Sequence, residues 1–237
     1  MKKAVIAAAG LCSRLGPVLE GRPKGLLEIQ GKALLERSVE SLRRNGICEI
    51  AVVVGYQQDM IRRQLGAQAV YCVNPFYAYC NNMASLWFAR AFIEDAPFVY
   101  LHSDLVYDER LLNLALKGFG KRKNDLELIT EFGTPDDEAM KVQVTPDHYL
   151  VESHKRIPAD RAAGEWTGMA FIRSAKALME TAERLLLEGN LNEYDTLAFS
   201  DLAASGRKVY CPATDGLPWI EIDYPQDVER AKKMFAG

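Results

Sequence analysis

The chain has 237 residues, 49% hydrophobic and 26% charged, with a formal net charge of −3. This is an ordinary globular composition, long enough to bury a large core without disulfide or metal staples. The slight acidic balance argues against a nucleic-acid-binding surface, and no apolar run approaches the roughly 18 residues of a membrane span.

Met1-Lys2-Lys3 is followed by only a short apolar run, so no signal-peptide h-region develops. The five cysteines (Cys12, Cys48, Cys72, Cys80 and Cys211) are odd in number and contain no CxxC. Both features lead us to expect a cytoplasmic protein with reduced thiols.

In chain order, residues 3–8 read as a buried strand, and 34–45 as an amphipathic helix with Leu34, Leu35, Val39 and Leu42 on its apolar face. A strand over 50–54, a helix over 58–65, a strand over 69–73, a helix over 83–92 and a strand over 98–102 follow. Strands separated by helices of this length predict a Rossmann-like α/β fold, a mostly parallel sheet with helices on both faces. The rhythm breaks near Lys121. Short strands are expected over 126–131, 140–144 and 149–153, and residues 164–172 return to the main sheet. A helix over 176–188, strands over 209–211 and 220–222 and a last helix over 225–234 complete the chain. We read one domain over 1–237, with a strand-rich excursion at about 125–165 placed to wall a cleft.

The segment after the first strand is the most informative. Ala8-Ala9-Gly10-Leu11-Cys12-Ser13 is a small-residue turn, Arg14 lies four residues beyond Gly10, and Lys24 ten beyond Arg14. A strand running into such a turn aims backbone N–H groups at a cleft where a phosphate can sit. The loop has neither the GxxxxGK[ST] nor the GxGxxG spacing, but two cations beside N–H donors suit a polyphosphate. Arg14 offers a planar fork and Lys24 a movable point charge.

Asp104 ends the apolar run Phe98-Val99-Tyr100-Leu101, and Glu221 and Asp223 alternate with Ile220 and Ile222. Carboxylates at strand ends are candidate Mg²⁺ ligands, because Mg²⁺ takes oxygen donors and commonly keeps one or two carboxylates plus substrate phosphates. The alternation puts Glu221 and Asp223 on the face opposite the isoleucines. Asp108 suits a helix N-cap and is left out of the site. His102, His148 and His154 show no ligand spacing, and no Ser/His/Asp or Cys/His arrangement is recognisable.

AAGLCSRLGP and RPKGLLEI resemble the AAGxGxRL…PKxLxxI pattern of the nucleotidyltransferases that activate sugar phosphates and small alcohol phosphates. NPFYAYCNNMASLWFAR (74–90), LHSDLVYD (101–108), AMKVQV (139–144), EWTGMAFI (165–172) and LPWIEIDYPQDVERA (217–231) extend the resemblance over nearly the whole chain, in the expected order. The chain is most similar to the bacterial branch of phosphocholine and 2-aminoethylphosphonate cytidylyltransferases. It departs from the family in Cys12, where glycine is usual, and in His102-Ser103 before Asp104.

The resemblance implies transfer of CMP from CTP to a small phosphorylated or phosphonylated acceptor, with pyrophosphate released and Mg²⁺ held by Asp104, Glu221 and Asp223. It implies that Arg14 and Lys24 contact the phosphates, that Ala8 to Ser13 cradle the nucleotide, and that Asn81, Asn82 and Ser85 lie beside the base. One of the two asparagines is also expected to cap a helix. Lys155 resembles a lysine near the acceptor phosphate, and Lys141 is a weaker candidate of that kind. Trp166 and Trp219 would supply aromatic faces to a quaternary ammonium, or Glu165 a carboxylate to a primary amine. A sugar-1-phosphate nucleotidyltransferase is the rival within the class, and a non-catalytic nucleotide-binding regulatory module the rival outside it. No nucleic-acid partner is expected, and a homodimer stays open.

Overall fold

The computed structural model describes residues 1–11 and 13–236. β1 (Lys3–Ala8) leads through a short helix, α1 (Gly16–Leu19), and a ribbon of β2 (Glu28–Ile29) and β3 (Lys32–Ala33) into α2 (Leu34–Arg44). β4 (Glu49–Val54), α3 (Gln58–Leu65), β5 (Val70–Val73), α4 (Asn82–Phe88), α5 (Arg90–Ile93) and β6 (Phe98–His102) follow, then β7 (Leu105–Tyr107) and α6 (Glu109–Lys121). The second half holds β8 (Leu126–Phe132), β9 (Lys141–Val144), β10 (Leu150–Ser153), β11 (Gly164–Ile172), α7 (Ala175–Leu187), α8 (Asp195–Ala204), β12 (Val209–Tyr210), β13 (Trp219–Glu221) and α9 (Pro225–Met234).

The path through the main sheet is β10-β9-β11-β6-β1-β4-β5, with β8 on β11 and β12 on β8. β6, β1, β4 and β5 are parallel, and β11 joins this half by antiparallel pairing with β6. The Rossmann-like α/β fold expected from the alternating elements is therefore present. The excursion strands β8, β9 and β10 are continuous with the same sheet through β11.

β1 is buried on both faces, as a central parallel strand must be. Ala4 and Ile6 pack with Leu35, Val39 and Ile61 of α2 and α3, whereas Val5 packs with Met83, Leu86 and Leu178 of α4 and α7. The period-two alternation of the strand thus divides the interior into two cores. A third cluster joins Leu15, Leu19, Ile29, Ile220, Ile222 and Val228. It ties the segment after β1 to β13 and α9.

Three elements depart from the sequence reading. The helix expected over 83–92 is split into α4 and α5. β7 pairs with β13 as a separate two-stranded ribbon, and α8 has no periodic signature that foreshadows it.

Register places the site. Ala7 lies opposite both Val53 and His102, so the segments after β1, β4 and β6 emerge along one sheet edge. Ligands of open α/β sheets bind beyond such carboxyl ends. At the other end of the site β11 starts at Gly164, where an added Cβ would overlap the Glu131 carbonyl oxygen and lie 2.8 Å from Phe132 Cα. Because both obstacles are backbone, Gly164→Ala is expected to lower stability by about 1–3 kcal/mol. Urea unfolding of the variant checks this, and an unchanged midpoint would show that β8 and β11 are less closely apposed.

Candidate active site

The loop leaving β1 forms one wall of a cavity of about 430 Å³. Ala9, Gly10, Leu11, Arg14 and Lys24 line it from one side, and Asn81, Asn82, Ser85, Lys155 and Tyr194 from the other. Ala8 ends the strand behind them, 7% exposed. Cys12 lies outside the described residues, as does the side chain of Ser13. Gly55 lets the backbone after β4 approach this loop, since a Cβ there would come within 2.8 Å of the Ala9 carbonyl.

Asn81 is the N-cap of α4: its side-chain oxygen accepts from the Asn82 N–H at 2.8 Å, and its Nδ2 donates to the Asn192 carbonyl at 3.3 Å. Asn82 keeps its amide towards the cavity, with Nδ2 3.4 Å from His102 Nε2. The Ser85 hydroxyl accepts from Asn74 Nδ2 at 3.1 Å.

Lys24 sits in a 3-10 turn that Pro23 begins, 7% exposed. Its Nζ donates to Asp104 Oδ2 at 2.6 Å and to Asp223 Oδ1 at 2.7 Å. Burial by itself would depress the lysine pKa, but the two carboxylates outweigh it and raise the pKa well above the ordinary range. Lys24 is therefore a fixed cation at neutral pH. Asp104 is held low: its burial is outweighed by Lys24 and His102. Asp108, by contrast, caps α6 as the sequence suggested.

His102 forms the second charged centre. Its Nε2 is 2.9 Å from Asp195 Oδ2 and its Nδ1 is 3.1 Å from Glu221 Oε1. Tyr100 also donates to Asp195 Oδ2, at 2.8 Å. Burial would lower the His102 pKa, yet Asp195 and Glu221 raise it well above the ordinary value. Glu221 is pushed up by burial and by Asp104, against the opposing pull of His102. Gly168, at φ +81°, makes room for the pair, because a Cβ there would lie 3.2 Å from both Glu221 Oε1 and His102 Nδ1. Neither the His102 role nor Asp195 was visible in the sequence, where histidine spacing gave no ligand pattern.

His102, Asp104 and Glu221 each place a ligand atom within 4.8 Å of the other two. Both ring nitrogens of His102 already face carboxylates, Asp195 and Glu221, so the acids are the groups left to turn towards a cation. Asp104 Oδ1 is buried with no hydrogen-bond partner. Clustered carboxylates with one orphaned oxygen suit a hard divalent cation such as Mg²⁺.

A second cavity, of about 620 Å³, adjoins the first, and Asp223 lines both. Its walls carry Glu131, Asp136, Asp137, Glu138, Glu165 and Glu221 against a single cation, Arg230. The excursion loop between β8 and β9 supplies Asp136, Asp137 and Glu138, and Glu138 reaches across to Arg14 Nη1 at 3.2 Å and Lys155 Nζ at 3.9 Å. The Trp219 indole N–H donates to Glu131 Oε2 at 3.3 Å, and Thr214 donates to the same oxygen. Burial, then the charges of Asp136, Glu221 and Glu131, push the Glu165 pKa up to about 7.

Two expectations need correction. Trp166 is 2% exposed, with its indole N–H donating to the Met169 carbonyl and its ring covered by His102, Tyr100 and Phe199. It is a core residue and offers no face to an acceptor. Lys141 is 3% exposed and donates to the carbonyls of Asp137 at 2.8 Å and Lys155 at 3.0 Å, so it fastens the loops that carry the acidic wall.

A cationic loop thus faces carboxylates at the carboxyl edge of the parallel part of the sheet. Residues 4–136 match the MobA-like NTP transferase domain, and the chain belongs to that family. It is 26% identical to the CTP:phosphoglutamine cytidylyltransferase of Campylobacter jejuni, over 95% of this chain and 97% of that protein. It is 28% identical to the choline-phosphate cytidylyltransferase of Streptococcus pneumoniae, over 98% of each. Other curated relatives are longer, and the chain spans 39% and 50% of two of them. In fold it is similar to the inositol-1-phosphate CTP transferase of T. maritima, with a TM-score of 0.81, 22% identity, and coverage of 100% of this chain and 97% of that one. The protein is thus an enzyme of the nucleotidyltransferase class. Among the described residues, no helix is long and apolar enough to cross a membrane.

The raised Glu165 pKa has a stability consequence. The folded protein holds this proton to about pH 7, whereas the unfolded chain releases it near 4.5. The folded state binds more protons in that window, so the Glu165 contribution to stability falls as pH rises from 4.5 to 7. Glu165→Gln removes the burden, and its stability advantage over the wild type is expected to grow across this window and level off above it. Urea midpoints at pH 5 and pH 8 check the sign, and an equal difference at the two pH values contradicts it.

Proposed function

We propose that the protein transfers CMP from CTP to a small acceptor that joins a phosphate or phosphonate to a cationic group, of the phosphocholine or 2-aminoethylphosphonate type. One observation carries this reading: a cavity rich in cations and loop backbone meets a cavity walled by carboxylates, and Asp223 belongs to both. The first suits a triphosphate. The second repels an anionic acceptor unless a positive group faces its wall. A hexose 1-phosphate brings only neutral hydroxyls to that wall, which disfavours the sugar-phosphate alternative. The cytidylyltransferases among its relatives support cytidine as the base.

In the reaction an oxygen of the acceptor phosphate forms a bond to the α-phosphorus of CTP, and the bond from that phosphorus to the bridging oxygen of pyrophosphate breaks, pyrophosphate leaving with the electron pair. The attacking oxygen is already anionic, so no general base is required. Arg14 and Lys155, now paired with Glu138, would exchange that carboxylate for phosphate oxygens. Lys24, fixed by Asp104 and Asp223, holds positive charge where negative charge is transferred. Asp104, Glu221 and Asp223 would hold Mg²⁺, which when bound supplies further charge neutralisation. Glu165 and Glu131 would face the acceptor's cationic end, beside Trp219. His102 keeps Glu221 oriented by bonding it from behind, with Asp195 holding the imidazolium. Positioning and electrostatics do most of the work in such transfers.

Pyrophosphate release is to be measured with Mg²⁺, each of the four NTPs, and a panel of phosphocholine, phosphoethanolamine, 2-aminoethylphosphonate, glycerol and inositol phosphates, and hexose 1-phosphates. Release is expected with CTP and an ammonium-bearing acceptor. Turnover confined to hexose 1-phosphates would overturn the acceptor reading, and tight nucleotide binding without any pyrophosphate would favour a regulatory module. Asp104→Ala is expected to retain less than about a tenth of kcat, a loss above about 1.4 kcal/mol of transition-state stabilisation. A variant with most of its turnover would remove Asp104 from its assigned role.

A further inference from the structure

The acidic cavity of about 620 Å³ contains two carboxylates that sheet register sets against each other. Glu165 of β11 lies directly opposite Glu131 of β8 in their antiparallel pairing, so both side chains leave the sheet on one face. Both line the cavity. Like charges directly opposite on a sheet are destabilising, and a protein that keeps such a pair needs a cause for it.

Other acids of this wall have cations of their own. Glu138 has Arg14 and Lys155, Glu221 has His102, Asp223 has Lys24, and Asp227 has Arg230. Among the described residues, Glu131 and Glu165 form no ion pair. Glu131 is bonded through Oε2 by two neutral donors, the Thr214 hydroxyl and the Trp219 indole N–H. Lys141 stands opposite Glu165 on its other flank, but its Nζ is turned to the carbonyls of Asp137 and Lys155. Burial, and then the like charges of Asp136, Glu221 and Glu131, therefore outweigh the pull of Lys141 and push the Glu165 pKa up to about 7.

The rest of the lining gives the chemistry of the cation that fits between them. A quaternary ammonium has no N–H and is held by several aromatic faces. Trp219 and Tyr224 are the aromatic residues of this cavity, and the Arg14 guanidinium already lies over the Tyr224 ring, 5.5 Å from its centre. Trp166, the neighbour of Glu165, is turned into the core. That leaves Trp219 alone beside two carboxylates. A primary ammonium carries three N–H donors, as a lysine does, and its charge-assisted bonds to carboxylates are of the strong kind.

Given that this cavity receives the acceptor's cationic end, the reading on which this rests, we propose that Glu131 and Glu165 determine acceptor specificity. Together they grip a primary ammonium and discriminate against a quaternary one. The acceptor class is then an aminoalkyl phosphate or phosphonate with an unmethylated nitrogen. Glu131 has Oε1 to offer, since Oε2 is taken by Thr214 and Trp219, and Glu165 supplies the second acceptor. The two carboxylates stand on adjacent, directly paired strands, so the sheet and not a loop fixes their spacing.

The test is kcat/KM for pyrophosphate release from CTP with Mg²⁺ along two series of acceptors. One is phosphoethanolamine with its N-methyl, N,N-dimethyl and N,N,N-trimethyl derivatives, the last being phosphocholine. The other is the same series built on 2-aminoethylphosphonate. Every member carries the same ammonium charge while its N–H donors fall from three to none, so hydrogen bonding is separated from charge. Turnover is expected to fall about tenfold or more from the primary to the quaternary member, the effect of losing hydrogen bonds between charged groups. In Glu165→Gln and in Glu131→Gln that ratio is expected to shrink several-fold. Damage to the fold lowers every member alike and leaves the ratio where it was. A series that is flat, or rises towards the quaternary member, overturns the primary-ammonium assignment and leaves the cationic-acceptor reading standing. A steep series with an unchanged ratio in both variants removes Glu131 and Glu165 from the role. Absence of turnover with every member overturns the acceptor reading itself, and the specificity pair with it.

Discussion

The Lys24 ammonium is the interaction on which the arrangement of the cleft depends. Its two carboxylate partners lie 80 and 199 residues away in the chain. One follows β6 of the main sheet and the other follows β13 of a separate ribbon. A single buried cation thus ties the loop after the first strand to two acids whose own segments are joined by the β7–β13 ribbon, where Leu105 lies opposite Glu221 and the Ile222 N–H donates to the Asp104 carbonyl. Removing one partner from a buried ion pair typically costs about 3–5 kcal/mol, because the other charge is left uncompensated. Without Lys24, Asp104 and Asp223 would repel each other across a poorly solvated gap.

The same reasoning extends one layer inward. Asp195, Glu221, Asp104 and Asp223 bring four carboxylates into a small volume, and Lys24 and His102 supply two compensating charges. The two cations divide the acids between them, Lys24 taking the pair nearer the loop after β1 and His102 the pair nearer the core. The cluster keeps a net negative charge, which suits a hard cation. Chemistry that needs clustered carboxylates is compatible with a stable fold only where such internal counter-charges are built in.

The fold was legible where hydrophobic period and length agreed. Residues 50–54 and 98–102 are short apolar runs with no helical continuation, and both are parallel strands. α8 escaped because it packs against α4, α7 and β10 together, so its apolar residues do not fall on one stripe. β7 has three residues, too few for a pattern, whereas β13, equally short, is anticipated to within a residue from the alternation of isoleucine and acid. In the site, Asp104 and Asp223 could be singled out because each ends an apolar run at a strand's carboxyl end. Asp195 could not, since its importance arises from contacts with residues 93 and 95 positions away. Trp166 shows a missed inference. Glu165 and Trp166 are neighbours on one strand and must face opposite ways. If Glu165 looks into the cleft, Trp166 belongs to the core, and the alternation of the strand already said so.

The third apolar cluster explains why the loop after β1 and the acidic strand can act as one body. Leu15 stands beside Arg14, and Ile220 and Ile222 flank Glu221. These side chains pack together with Val228 of α9, so the polar residues they flank are directed to the opposite side, towards the cleft. The alternation of acid and isoleucine in Ile220-Glu221-Ile222-Asp223 is thus a packing device as much as a chemical one. Each isoleucine anchors an acid by burying its neighbour. A polar substitution at Ile222, which is fully buried, would act on the cleft without touching it, by loosening the surface that sets where Glu221 and Asp223 stand relative to Lys24.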